Sequence, residues 1–324
     1  MNDLCSTECV EKGLVAIRVI SDRATKRKSP MVLYGTLIER VCEDLSHHLG
    51  QYVDVELAEP VGGGSINDAW RLETDAGRYF LKTNNTDAFP SLFIAEAYGL
   101  SCLRTAGPLR VPEVIATGED HDDSYLLLEW VETGIQGPGY WEAFGRGLAR
   151  LHRHTKERFG LERDNYIGSL VQRNTPEPDW PDFFIKHRLE PQLKLARDRK
   201  RIEAGTLFRF ERLFRGLDGI FPKEPPALLH GDLWSGNLLC DANGQAVLID
   251  PAIYYGHREM DLAMTRLFGG FDDALYTAYH AEWPLEKGWE ERVDMCNLYP
   301  LLVHMNLFDG GYAQQVEGVL QRFV

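Results

Sequence analysis

The chain has no excess of basic residues: 49 Asp and Glu stand against 35 Lys and Arg, a formal net charge of −14 over 324 residues. A protein that gripped nucleic acid or an acidic membrane along a broad face would need the opposite balance. Neither partner is expected, although a local positive site for a nucleotide remains compatible with this charge. No apolar run approaches the ~20 residues that cross a bilayer, and no N-terminal stretch joins a basic region to an apolar core and a cleavage site. The expected compartment is the cytoplasm. No C-x-x-C pair occurs among the six cysteines, Cys5, Cys9, Cys42, Cys102, Cys240 and Cys296. Their scatter reads as free thiols, not as a disulfide framework or a zinc site. No Gly-Lys-Ser/Thr follows the one tight glycine cluster, so a P-loop is excluded. A strand pattern, not a helix, follows those glycines, which argues against a dinucleotide-binding turn.

What is present suits one large or two modest domains, with 44% hydrophobic and 26% charged residues. Residues 1–30 carry the basic run Arg23-Ala24-Thr25-Lys26-Arg27-Lys28-Ser29-Pro30 and stand apart from the rest. They are expected to be a flexible extension or, with Met31 next, a misassigned start. From residue 34 to 49, Leu37, Val41 and Leu45 recur four apart, a helical stripe closed by Gly50. Residues 52–59 alternate, with Val53, Val55 and Leu57 expected on one side of a strand. Gly62, Gly63 and Gly64 follow, then strands over 69–74 and 78–82 joined by the turn Asp75-Ala76-Gly77. A glycine-rich hairpin tip lets backbone N–H groups approach phosphates without side-chain obstruction. Lys82 closes the second of those strands, and Glu96 lies in a helix over 91–105. A buried strand over 125–131 then runs through Glu129-Trp130-Val131 into a Gly- and Pro-rich segment.

Further helices are expected over 140–159, 180–195 and 202–217, with His152 and His154 as partly solvated helix residues and 164–168 as a turn. Next comes Leu228-Leu229-His230-Gly231-Asp232-Leu233-Trp234-Ser235-Gly236-Asn237-Leu238-Leu239, then Val247-Leu248-Ile249-Asp250. An apolar run, H-G-D-x-x-x-x-N and a second apolar run ending in Asp resemble the catalytic loop and metal-binding strand of protein-kinase-like phosphotransferases. Phosphoryl transfer asks of a protein an oriented hydroxyl, a divalent cation and charge stabilisation. Magnesium prefers hard oxygen ligands, often one or two carboxylates with phosphate and water.

That resemblance implies an α+β, two-lobed fold: residues 31–131 as an N-lobe with a small antiparallel sheet, and residues 132–324 as a mainly helical C-lobe, with ATP and Mg²⁺ in the cleft. It assigns Asp232 as the base or hydroxyl orienter, Asn237 and Asp250 to the metal, and Gly62, Gly63 and Gly64 to the phosphates. Lys82 would contact the α/β-phosphates and pair with Glu96, while the backbone C=O of Glu129 and N–H of Val131 would hold adenine. Asp261 is expected to brace the catalytic loop through hydrogen bonds.

Only ten residues separate Asp250 from Asp261, which leaves no room for the activation segment of a peptide kinase. Asp250-Pro251-Ala252 replaces D-F-G, and Pro251 fixes φ and offers no N–H. Both features point to an unswitched enzyme with a small acceptor. Trp234, beside Asp232, reads either as a core residue or as a surface for a sugar ring. With Tyr255-Gly256-His257-Arg258-Glu259, Asp164-Asn165-Tyr166-Ile167-Gly168 and Phe268-Gly269-Gly270-Phe271, the loop resembles the fructosamine kinase (ketosamine 3-kinase) family over residues 31–312. The resemblance implies ATP-dependent phosphorylation of the C3 hydroxyl of a ketoamine, on a small amine or a glycated lysine, followed by loss of the sugar. Other small-molecule kinases of the aminoglycoside, choline or homoserine type share the Asp232, Asn237 and Asp250 pattern, and an ATP-binding pseudokinase is the non-enzyme alternative. The sequence departs from the family at Ser65, where some members carry a redox-sensitive cysteine, and at Asp309, where a glycine is expected.

Overall fold

The computed structural model describes residue 33 and residues 35–62, 66–308 and 310–324. The expectations for residues 1–30, Gly63, Gly64, Ser65 and Asp309 therefore lie outside the described residues. The chain divides into two compact units, one running to Ala97 and including Pro112–Val131, the other made of Tyr98–Val111 and Glu132–Val324.

In the first unit the four-residue stripe forms α1 (Gly35–Leu49), which buries Leu37, Ile38, Val41 and Leu45. These side chains meet one face of a five-stranded antiparallel sheet, built from β1 (Val55–Pro60), β2 (Asp68–Thr74), β3 (Gly77–Asn85), β4 (Val114–Asp120) and β5 (Asp123–Glu129) in the order β1-β2-β3-β5-β4. The core between them holds Trp70, Leu72, Leu81, Tyr125 and Leu127, alternate residues of their strands. The alternation turns Lys82 to the opposite face, in register with Ala69 and Leu126. Lys82 is also mid-strand, not terminal as the sequence suggests, because β3 continues to Asn85.

The phase expected of β1 holds only in part. The register shifts between Val55 and Leu57, and it is Ala58, not Leu57, that is fully buried. A bulge inserts one residue on one strand and exchanges the faces beyond it.

The second unit is mainly helical. Its helices include α3 (Tyr140–His152), α4 (Trp180–Phe183), α5 (Glu190–Asp198), α6 (Ala204–Phe214), α7 (Glu259–Leu267), α8 (Asp273–Glu282), α9 (Trp289–Leu307) and α10 (Tyr312–Phe323). The core gathers Phe183, Phe184, Leu193 and Phe210 around α9, which buries residues on every side, among them Met295, Leu298, Leu302 and Met305. A helix apolar all round belongs in the middle of its neighbours. The segment Tyr98–Val111 is tied to this unit: Arg110 pairs with Asp241, and its carbonyl accepts from Leu248 N at 2.9 Å.

Three helical expectations change. The helix expected over 140–159 ends at His152, because beyond it the chain pairs with other backbone: Leu228 N donates to His154 O, and Thr155 bridges Ala227. The helix expected over 180–195 is interrupted by a π-helical turn, Phe184–Leu189, which carries Arg188 into the core. The one expected over 202–217 spans only Ala204–Phe214. Residues 164–168 are more than a turn: β6 (Asn165–Ile167) and β7 (Leu170–Gln172) form a hairpin closed by Gly168 at φ 58°. Cys42, Cys102, Cys240 and Cys296 are free thiols, and no described helix is long and apolar enough to cross a membrane.

Candidate active site

The first unit holds Lys82 and Glu96. Helix α2 (Leu92–Ala106) places Glu96 Oε1 2.7 Å from Lys82 Nζ, with both side chains largely withdrawn from water. Removing one partner of such a buried pair loses a charge-assisted hydrogen bond, at a cost of about 1.5–3 kcal/mol. Glu96→Leu is therefore expected to lower stability by roughly that amount, whereas Lys82→Met/Glu96→Leu recovers most of the loss. Denaturant melts of the two single variants and the double variant measure the coupling. Gly62 sits in the turn after β1, where an added Cβ would meet nothing within 4 Å. No local crowding demands glycine there. Glu129 ends β5, with its N–H donating to Glu113 O at 2.9 Å and its carboxylate accepting from Glu113 N at 3.0 Å. Val131, two residues on, is buried.

The second unit holds the H-G-D loop. It leaves β8 (Ala227–Leu229), which pairs with β11 (Tyr254–Gly256), and enters β9 (Leu238–Cys240), which pairs with β10 (Ala246–Leu248). Asp232 and Asn237 come together through one amide. Asn237 Nδ2 donates to Asp232 Oδ2 at 3.0 Å and to Asp232 O at 2.8 Å, which leaves the Asn237 Oδ1 atom as its acceptor. Ile249 N donates to Asn237 O at 3.1 Å, fastening the end of β10 to the loop. Asp250 follows, exposed and at φ 55°, a left-handed conformation that costs a non-glycine residue about 1–3 kcal/mol.

His230 fixes the loop from within. Its Nε2 donates to Ile249 O at 2.9 Å, and Nδ1 accepts from Asp232 N at 3.3 Å. Burial holds its pKa below the usual imidazole value, which agrees with a neutral ring in this tautomer. Gly231 is at φ 83°, and a Cβ there would stand 2.0 Å from the carbonyl oxygen of Ala252. Only glycine fits the sharp turn that presents Asp232.

The bracing expected of Asp261 is present. Its Oδ2 accepts from His230 N at 2.7 Å and its Oδ1 from Gly231 N at 2.9 Å. His152 is corrected here from a partly solvated residue to a fully buried one: Nε2 meets Asp261 Oδ2 at 3.2 Å, and Nδ1 meets the Tyr279 hydroxyl at 2.8 Å. The sequence did carry a signal for this, since Phe144, Leu148 and His152 continue one four-residue stripe. His154 is exposed, beyond the end of α3.

Burial raises the pKa of the half-buried Asp232 to about 7. The nearby charges of Asp250 and Asp261 add to the rise, while the Asn237 hydrogen bond opposes it. A carboxylate near neutrality is well matched to accepting a hydroxyl proton. Trp234 is 39% exposed and stands edge-on to the equally exposed Phe268, ring centroids 6.2 Å apart. Phe268 in turn packs on His304 at 4.8 Å. Trp234 is thus the start of a short aromatic strip, not a core residue.

The sequence profile of the fructosamine kinase family matches residues 37–324. The chain is 42% identical over 266 residues to a probable ketoamine kinase of Enterococcus faecium, covering 82% of this chain and 94% of that protein. It is 38% identical over 280 residues to the chloroplastic protein-ribulosamine 3-kinase of Arabidopsis thaliana, covering 85% of each. A crystal structure of a fructosamine-3-kinase candidate from Thermobifida fusca superposes with a TM-score of 0.78 at 37% identity, over 87% of this chain and 97% of that one. An aminoglycoside phosphotransferase shares the fold alone, with a TM-score of 0.58 at 16% identity. A loop that holds an Asp and an Asn on one amide, a buried Lys–Glu pair and these matches lead to one assignment: the chain belongs to the fructosamine kinase family and has its α+β, protein-kinase-like fold.

Proposed function

We propose that this protein is an ATP-dependent ketosamine 3-kinase, which transfers the γ-phosphoryl group of ATP to the C3 hydroxyl of a ribulosamine or fructosamine. The observation that carries the reading is the held carboxylate of Asp232: fixed by Asn237 Nδ2, presented by a turn that needs Gly231, and raised to about 7. The acceptor hydroxyl donates its hydrogen bond to Asp232, which orients the oxygen and takes its proton as the new O–P bond forms. Lys82, held by Glu96, meets the phosphates, with the backbone around Gly62, Gly63 and Gly64 beside them. The carbonyl of Glu129 and the N–H of Val131 hold adenine.

Asn237 Oδ1 and the Asp250 carboxylate are hard oxygen donors of the kind magnesium takes alongside phosphate and water. Asn237 fits the part because its Nδ2 is committed to Asp232. Magnesium bound there would neutralise phosphate charge. The 3-phosphate destabilises the adduct, so the sugar is shed and the amine of a small molecule or a lysine is regenerated, which is deglycation. We assign the reaction to the cytoplasm, one of the compartments that supplies ATP.

The test is ATP consumption with Mg²⁺ across ribulosamine, fructosamine and aminoglycoside acceptors. Turnover is expected with ketoamines; turnover only with aminoglycosides, or ketoamine turnover equal to that of Asp232→Ala, overturns the reading. Trp234→Ala is expected to raise KM for the ketoamine roughly fivefold, the loss of about 1 kcal/mol of ring stacking, with KM for ATP unchanged. Steady-state kinetics with each substrate varied in turn checks this.

A further inference from the structure

Behind the segment that follows Asp250 lies a buried set of polar side chains with no part in the chemistry above. Gln172 Nε2 donates to Ala252 O at 3.0 Å and to Asn165 Oδ1 at 2.9 Å. Asn165 Nδ2 donates to Ile253 O at 2.8 Å. Asn174 Nδ2 donates to Asn165 Oδ1 at 2.8 Å, and the Tyr299 hydroxyl donates to Gln172 Oε1 at 2.8 Å. Arg188 closes the set: Nη2 donates to Asn174 Oδ1 at 2.7 Å and Nη1 to Arg173 O at 2.6 Å. All five side chains belong to buried residues.

Arg188 is costly to keep there. It is wholly buried, no carboxylate among the described residues stands within ion-pair distance of it, and its Nε has no partner. Its charge is met by carbonyl oxygens and by the rings of Tyr254 and Phe183, 3.9 and 4.6 Å from the guanidinium carbon. Apolar side chains of similar volume commonly serve stability as well or better. A polar set retained at such a position is suited to fixing one conformation.

The conformation it fixes is that of residues 250–253. Asp250 adopts a left-handed φ that persists only where its surroundings over-determine it. On the loop side, Ile249 N bonds to Asn237 O and Ala252 N to His230 O, at 3.1 and 2.9 Å. On the other side, the two consecutive carbonyls after Pro251 are held by Gln172 and Asn165. We propose that Arg188, Asn174, Asn165, Gln172 and Tyr299 are positioning residues that lock the 250–253 segment, and with it the Asp250 carboxylate, in the one arrangement that receives metal-bound ATP. They replace a movable Phe in this role, which makes the segment unswitched. The inference rests on the assignment of Asp250 as a metal ligand, but on no particular acceptor.

The experiment uses the full chain with Mn²⁺ and ATP as probes. Gln172→Met removes both donors at nearly constant volume; Tyr299→Phe only releases the Gln172 side chain from its far end. Electron paramagnetic resonance is expected to show Mn²⁺ affinity in the presence of ATP falling roughly 10–100-fold in Gln172→Met and less in Tyr299→Phe. Hydrogen exchange across 249–256 is expected to quicken in the same order, while peptides around Lys82 and Glu96 are unchanged. A folded Gln172→Met with wild-type exchange over 249–256 and wild-type Mn²⁺ affinity overturns the proposal. Should Gln172→Met fail to melt cooperatively, Asn165→Asp and Tyr299→Phe decide by the same two readouts. Neither readout needs a ketoamine, so failure of the proposed acceptor class would be seen separately.

Discussion

Asp232→Asn is expected to lower kcat by about 10²- to 10⁴-fold, the range that positioned proton transfer contributes, while KM for ATP stays near its wild-type value. Asparagine keeps the shape of the side chain and an acceptor for Asn237 Nδ2, so the loop survives; what it loses is the capacity to take the hydroxyl proton. The same substitution is expected to stabilise the fold. Burial and the neighbouring charges of Asp250 and Asp261 raise Asp232 from 3.8 to about 7. A carboxyl whose pKa is raised on folding favours the folded state while protonated, and that contribution is lost as pH rises from the unfolded value through about 7. At pH 8 in metal-free buffer the ionised group therefore opposes folding, by something of the order of 2 kcal/mol once solvent screening is allowed for. Asp232→Asn removes that opposition. A melting temperature that rises at pH 8, together with a collapsed kcat, is the expected pair of results. A drop in both would mean that Asp232 serves the fold rather than the reaction.

Opposed effects of this kind follow from how the site is encoded. Chemistry concentrates in runs that read directly: His230 to Asn237 is contiguous, and strand alternation alone turns Lys82 away from the α1 face. The fold class could be read in the same way, because the stripe of α1 and the strand, turn and strand spacing after Gly62 are short-range patterns. What supports the site is dispersed. Asp261 reaches His152 from more than a hundred residues away, and Tyr299 reaches Gln172 over a similar distance. Periodicity can put a histidine such as His152 on the buried face of its helix, but the partner it meets there is chosen by tertiary packing. The hairpin of β6 and β7 passes for a turn because its strands are three residues each. The bulge in β1 is a one-residue insertion, which no alternation pattern contains. The end of α3 is decided by long-range pairing with Ala227 and Leu228, which overrides local helix propensity.

Asp261→Ala is expected to cost the most stability of any single change at the site. Two backbone N–H groups, of His230 and Gly231, lose their acceptor in a buried place, and His152 loses the carboxylate that faces it. Each buried donor left unmade costs about 1–3 kcal/mol, so a loss of roughly 2–6 kcal/mol is expected, a large part of the about 5–15 kcal/mol that holds a domain together. The acid limb identifies the charge as the cause. Burial alone would raise the Asp261 carboxyl, but the hydrogen bond and electrostatic attraction from His152 and the N–H of Gly231 outweigh it and hold its pKa below the ordinary value. A carboxyl depressed on folding stabilises fully above its unfolded pKa of about 3.9, and that contribution is lost as pH falls from about 5 through the folded value. Asp261→Asn keeps the size of the side chain and cannot ionise, so it should lie well below wild type at pH 7 and converge towards it in acid. Urea melts of the two proteins between about pH 7 and pH 3 test this; a stability difference that stays constant over that range would show that shape, not the charge of Asp261, holds His230 and Gly231 in place.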